Sequence, residues 1–189
     1  MTSTKAVSQA ELNPFHSIMH FILGTAGHID HGKSSLIKAL TGTNPDRLPE
    51  EQKRGVTIEL GFAHLQIEQH EIGVIDVPGH ADFVNNMVSG VGALDLALFV
   101  VASDDGWMPQ SEEHLHILSY LGITNVIIAL TKIDTCEDPE FVQEMLREEI
   151  AETSLADVPI IPVSSHTGEG VQELRQAIAE AAQNIKHDK

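Results

Sequence analysis

The sequence has a single cysteine, Cys136, so it offers neither an internal disulfide nor a thiolate metal cluster. Aromatic residues make up only 4%, which leaves a core to be built from Ile, Leu, Val and Ala. Basic residues are scarce: 11 Lys and Arg stand against 28 Asp and Glu, a formal charge of −17. A surface of that sign repels a phosphate backbone, which excludes a sequence-independent nucleic-acid binder, DNA included. Any anionic ligand must be held by a local site. Long apolar runs are also missing. The longest, Leu96–Ala102, has seven residues, against the ~18 of a membrane span. The first nineteen residues hold one Lys and no continuous apolar stretch, unlike a signal peptide. These absences point to a soluble cytoplasmic protein with no membrane partner.

What remains is ordinary for a folded domain: 189 residues, 42% of them apolar and 21% charged. Residues 1–17 mix Thr, Ser, Gln, Asn and Pro14 without periodicity and read as a flexible extension. Residues 18–184 read as one domain and 185–189 as a frayed tail. Strands are predicted at 21–25, 62–67, 72–76, 96–102, 126–131 and 160–163, with a polar turn at 68–71. Helices are predicted at 33–40, 110–121, 139–153 and 171–182. The third of these should bury Phe141, Met145 and Ile150, and the last Leu174, Ile178 and Ala181. Near-continuous apolar strands alternating with helices specify a three-layer α/β fold, with a mainly parallel six-stranded sheet covered on both faces.

Between the first strand and the first helix lies Gly27-His28-Ile29-Asp30-His31-Gly32-Lys33-Ser34, a G-x-x-x-x-G-K-[ST] phosphate loop. Its glycines let successive N–H groups turn toward phosphate oxygens, and the helix after it adds its positive end. Ser35 lies in that first turn. Lys33 supplies a cation for the β and γ phosphates, and the Ser34 hydroxyl a ligand for Mg²⁺. A chance glycine-rich turn is the competing reading, and the flanking strand and helix weigh against it.

Three further motifs follow in order. Asp76-Val77-Pro78-Gly79 is D-x-x-G at a strand end. Asp76 suits Mg²⁺ through a water, and the Gly79 N–H suits a γ-phosphate sensor. Thr131-Lys132-Ile133-Asp134 matches a [NT]-K-x-D guanine reader, in which a buried Asp134 carboxylate pairs with two donors that adenine lacks. The Lys132 stem suits the purine face. Ser164, Ser165 and His166 match the loose element that meets the guanine carbonyl. Between the first two motifs, Arg54-Gly55-Val56-Thr57-Ile58 is a candidate mobile segment whose Thr57 closes on Mg²⁺. Together they indicate a P-loop GTPase of Ras-like fold that binds GTP, GDP and Mg²⁺.

The forms Gly27-His28-Ile29-Asp30-His31-Gly32-Lys33 and Asp76-Val77-Pro78-Gly79-His80 resemble the translation-factor GTPases. Segments 36–42, 46–51, 53–58, 60–63 and 90–98, and Thr131 where most relatives have Asn, are most similar to selenocysteine-specific elongation factors. That resemblance implies slow intrinsic GTP hydrolysis, stimulated by the ribosome, with His80 positioning the attacking water. It places Asp30 where some translation GTPases hold a monovalent cation. It implies selenocysteinyl-tRNA and an mRNA element as partners through β-barrel and RNA-binding domains absent from this chain, so the chain is expected to be either an isolated first domain or a truncated relative. A general aminoacyl-tRNA carrier, a sulfate-activation subunit, or a nucleotide-binding module that does not hydrolyse GTP without partners are the alternatives.

Other features carry less. His114 and His116 lie two apart on a predicted helix and are expected at the surface. Trp107, Met108 and Pro109 read as a packed turn, Cys136 as a loop thiol, and the acidic run 137–149 as a solvated helix face.

Overall fold

The valine-, isoleucine- and leucine-rich runs pair into a sheet. In the computed structural model, which describes residues 19–46, 48, 57, 59–68, 70–77 and 94–185, these are β1 (Met19–Ala26), β2 (Gly61–Ile67), β3 (His70–Asp76), β4 (Leu96–Ala102), β5 (Val126–Thr131) and β6 (Ile160–Pro162). Their order is β2-β3-β1-β4-β5-β6. β2 runs antiparallel to β3, and every other pairing is parallel. β4 and β5 are buried at every residue, as expected of strands covered on both faces.

The helices among the described residues are α1 (Lys33–Thr41), α2 (Pro109–Tyr120), α3 (Pro139–Ile150) and α4 (Val171–Asn184). One apolar cluster joins the sheet to α1 and α4 through Leu36, Ile37, Leu174 and Ile178. A second joins the opposite face to α2 and α3 through Leu115, Leu118, Leu146 and Ile150. The three-layer α/β prediction is therefore the observed architecture. None of the helices among the described residues is long and apolar enough to cross a membrane.

Several sequence expectations need correction. α3 does not bury Phe141 and Met145, which are 57% and 54% exposed. Its packed stripe is Val142, Leu146 and Ile150, spaced four apart, and the large apolar pair sits one position off it. The turn after β2 is shorter than predicted, because His70 and Glu71 already pair with Ile67 and Gln66. Glu68 takes a positive φ of 52° to make that turn. Ile185, placed with the tail on sequence grounds, is buried beside Ala182 in the core. Residues 1–17 and 186–189 lie outside the described residues.

Candidate functional site

The C-terminal ends of β1, β3, β4 and β5 converge on one edge of the sheet, where open α/β folds place their ligands. β1 runs directly into the phosphate loop. Gly27 has φ +124° and lies so close to β4 that a Cβ there would stand 2.2 Å from the Val100 carbonyl oxygen. Gly32, at φ +85°, precedes α1 with no side-chain cap, so the helix's first N–H groups stay free for a ligand. Asp30 also has positive φ and is exposed.

Lys33 is 6% exposed, and its ammonium donates to the carbonyls of Gly27 and His28 at 3.1 and 2.7 Å. Burial lowers its pKa to about 8, opposed by the charges of Asp76 and Asp30. His31 is fully buried, its Nδ1 3.3 Å from the Val100 carbonyl oxygen, and burial lowers its pKa to about 4. The His28 and His31 rings lie 5.0 Å apart. Among the described residues, no group of three or more His, Cys, Asp or Glu could hold a metal ion.

Next to the loop, the Ser34 and Thr57 hydroxyls are 2.9 Å apart, and Thr57 donates to Asp46 Oδ1 at 3.0 Å. Asp76 closes β3, fully buried, with Oδ1 accepting from the Thr25 hydroxyl at 2.8 Å. Its Oδ2 is buried without a hydrogen-bond partner. Burial raises its pKa; the nearby Ser34 hydroxyl, the Thr25 hydroxyl and the Lys33 charge pull it back. A buried carboxylate oxygen left unpaired beside two hydroxyls is the hard oxygen set that Mg²⁺ prefers. The three expected magnesium-site residues thus come together. Gly79, His80, residues 54–56 and Ile58 lie outside the described residues.

At the other end of the edge, Lys132 takes φ +60° after β5 and sends Asp134 into solvent. The carboxylate is exposed, where the sequence reading expected it buried, and a Ser164 hydrogen bond holds its pKa below the usual carboxylate value. Lys132 bridges to Asp104 at 2.9 Å. Thr131 spends its hydroxyl on the His31 carbonyl at 2.7 Å, tying β5 to the phosphate loop. Ser164 is buried, and its Oγ accepts from the His166 and Thr167 N–H groups. A cavity of about 620 Å³ runs between Asp30, Ser35 and Lys38 on one side and Thr131, Lys132, Asp134, Ser165 and His166 on the other.

Residues 19–184 match the family model of the Elongation factor Tu GTP binding domain. The chain belongs to this family. It is a GTPase domain of the translation-factor type, with GTP as its nucleotide. A selenocysteine-specific elongation factor of Desulfomicrobium baculatum is 55% identical over 174 residues, 90% of this chain and 27% of the relative. A solved bacterial selenocysteine-specific elongation factor EF-Sec superposes with TM-score 0.82 at 38% identity, covering 88% of this chain and 29% of that one. The Methanococcus maripaludis translation elongation factor SelB, in complex with the GTP analogue GppNHp, gives TM-score 0.78 at 34% identity, over 90% of this chain and 35% of that one. The GTPase domain spans about a quarter to a third of the length of these relatives.

Sequence reasoning missed two residues behind the loop. His114, expected at the surface, is 2% exposed, and its Nδ1 accepts from the Gly27 N–H at 2.8 Å. Gln110 Oε1 accepts from the Ile29 N–H at 3.3 Å. The signal was available: His114 lies four residues before the buried Leu118 and beside Leu115, on the core stripe of α2. Comparing it with His116, which is exposed, hid that.

Proposed function

We propose that this chain is the GTP-binding and GTP-hydrolysing switch domain of a selenocysteine-specific elongation factor, whose remaining parts carry selenocysteinyl-tRNA to the ribosome in the cytoplasm. The observation supporting the nucleotide role is the single cavity edge that joins a glycine phosphate loop to an exposed, ionised Asp134. The 55% identity with a relative of that name supports the choice of factor.

The loop N–H groups and the start of α1 cradle the β-phosphate, and Lys33, already held across the loop by two carbonyls, reaches the β and γ phosphates. Ser34, Thr57 and Asp76 would hold Mg²⁺, which when bound neutralises charge on the phosphates. Asp134 accepts the ring N–H and exocyclic amine of guanine; adenine offers no such pair. Lys132 covers the purine with its stem, and Ser164, Ser165 and His166 present the loop facing the base carbonyl. Thr131 acts through the loop instead of on the base, because its hydroxyl is already bonded to His31. Asp30 is the candidate monovalent-cation ligand, and Gly79 the γ-phosphate sensor. His80 orients the attacking water, a role that rests on the sequence motif.

Titrating fluorescent GTP, ATP and XTP against the chain and its Asp134→Asn variant tests the assignment. The chain should prefer GTP. The variant should lose GTP affinity by roughly 1–3 kcal/mol and gain XTP, because an acceptor facing the exocyclic amine becomes a donor. Unchanged GTP affinity in the variant would remove Asp134 from base recognition.

A further inference from the structure

Lys38 lines the cavity, and none of the roles above uses it. α1 turns Lys33, Leu36, Ile37 and Leu40 inward and leaves Ser35 and Lys38 exposed. We propose that Lys38 is a further nucleotide-contacting residue, its ammonium meeting the α-phosphate of GTP or GDP from the side of α1. The proposal rests on the GTP-binding reading.

The reach follows from helix geometry. Lys38 stands one turn after Ser34 and Ser35, so it shares their side of α1, and side chains on a helix lean toward its N-terminus. One turn rises ~5.4 Å, a distance that the four-carbon stem of a lysine spans, so the ammonium comes level with the Ser34–Ser35 turn. With the β-phosphate against the start of α1 and the base against Asp134, the α-phosphate lies between them. That stretch of the cavity runs along the wall of Ser35, Lys38 and Ala39, opposite Lys132 and Asp134.

Charge singles out the same residue. Two lysines line the cavity, Lys38 and Lys132. The Lys132 ammonium is taken up by both oxygens of Asp104, at 3.0 and 2.9 Å, with Asp105 3.7 Å away. Lys38 is exposed and, among the described residues, forms no salt bridge or side-chain hydrogen bond. Asp30 and Asp134 on the rim add negative charge that opposes a phosphate. In a chain of net charge −17, an unpaired cation on that wall is a local attraction that the rest of the surface does not supply.

The test is calorimetric titration of the full chain with unlabelled GTP and GDP in Mg²⁺, at low and at high salt. Lys38→Gln keeps a long polar stem without the charge, and Lys38→Arg keeps the charge. Arg147→Gln removes one positive charge from the exposed last turn of α3, which does not line the cavity. Lys38→Gln should weaken GTP and GDP alike by about fivefold at low salt, the size of one exposed charged contact. The loss should shrink at high salt, where exposed charges are screened. Lys38→Arg should stay within about twofold of the unmodified chain, and Arg147→Gln should leave affinity unchanged. Because Lys38 is exposed, Lys38→Gln should keep the melting temperature of the unmodified chain, which separates a lost contact from a lost fold. Lys38→Gln binding like the unmodified chain, Lys38→Arg losing as much as Lys38→Gln, or Arg147→Gln reproducing the loss would each overturn the proposal. So would a loss confined to GTP, which would move the ammonium to the γ-phosphate. If the unmodified chain binds neither nucleotide, the GTP-binding reading itself fails.

Discussion

The two ends of the cavity are built in opposite ways. At the phosphate end the working groups are buried and cross-braced over long sequence distances: Gly27 to His114, His31 to Val100 and Thr131, Asp76 to Thr25. At the base end Asp134 is exposed, and the loop at 164–167 is shaped by hydrogen bonds two or three residues apart. Their titrating groups differ accordingly. Burial moves Lys33, His31, His114 and Asp76 toward their neutral forms, whereas a hydrogen bond holds Asp134 in its charged one. Geometry at the phosphate end is thus inseparable from stability, while the carboxylate proposed to read the base sits at the surface.

The largest expected difference is in acid. His31 and His114 have folded pKa values of about 4 against an ordinary 6.5, so between those values the unfolded chain binds more protons. Stability is therefore full above pH 6.5 and falls as the pH drops toward 4, by up to roughly 3 kcal/mol for each ring. Asp76 opposes this, since its raised pKa lets the folded state take a proton first. Urea unfolding between pH 7.5 and 4.5 reads the slope, and His114→Asn should make it shallower. An unchanged slope would detach His114 from the acid response. Below that in size is Gly27→Ala, whose Cβ meets the Val100 carbonyl oxygen in a backbone conformation that alanine rarely adopts. It should cost about 3 kcal/mol in urea unfolding and lose nucleotide binding as well. Asp134→Asn is the counterpart at the base end, exposed and strained by nothing. Its stability should stay within about 0.5 kcal/mol of the unmodified chain while its nucleotide preference changes. Smallest of all is Asp104→Asn, which breaks the half-exposed pair with Lys132 and should cost under about 1 kcal/mol, fading with added salt. A large loss there would show that the base end is braced after all.

Legibility followed the same division. β4 and β5 were readable to the residue because both faces are covered and polar residues bound each run. The phosphate loop and the turn Thr131-Lys132-Ile133-Asp134 stood out as motifs because their residues adjoin in sequence. α3 was misread because its apolar side chains come in adjacent pairs, Phe141 with Val142 and Met145 with Leu146, and only packing selects between the members of each pair. His114 was hidden for a related reason: its partner, Gly27, is 87 residues away. Asp134 was expected inside and sits outside, since a motif names the group that meets a base and not its exposure.

The scarcity of basic residues was the first constraint, and the sequence alone determined its solution: a glycine loop, one lysine, hydroxyls and a strand-end carboxylate, each in fixed order along the chain. It also determined the α/β alternation, because period and apolar runs are local properties. The tertiary structure decided what holds that machinery in place. It put an imidazole from α2 under Gly27, spent the Thr131 hydroxyl on the loop and left one oxygen of Asp76 unpaired. Those choices depend on which surfaces meet when the sheet closes against its helices, and burial, which sets both the pKa values and the need for partners, exists only after they have met.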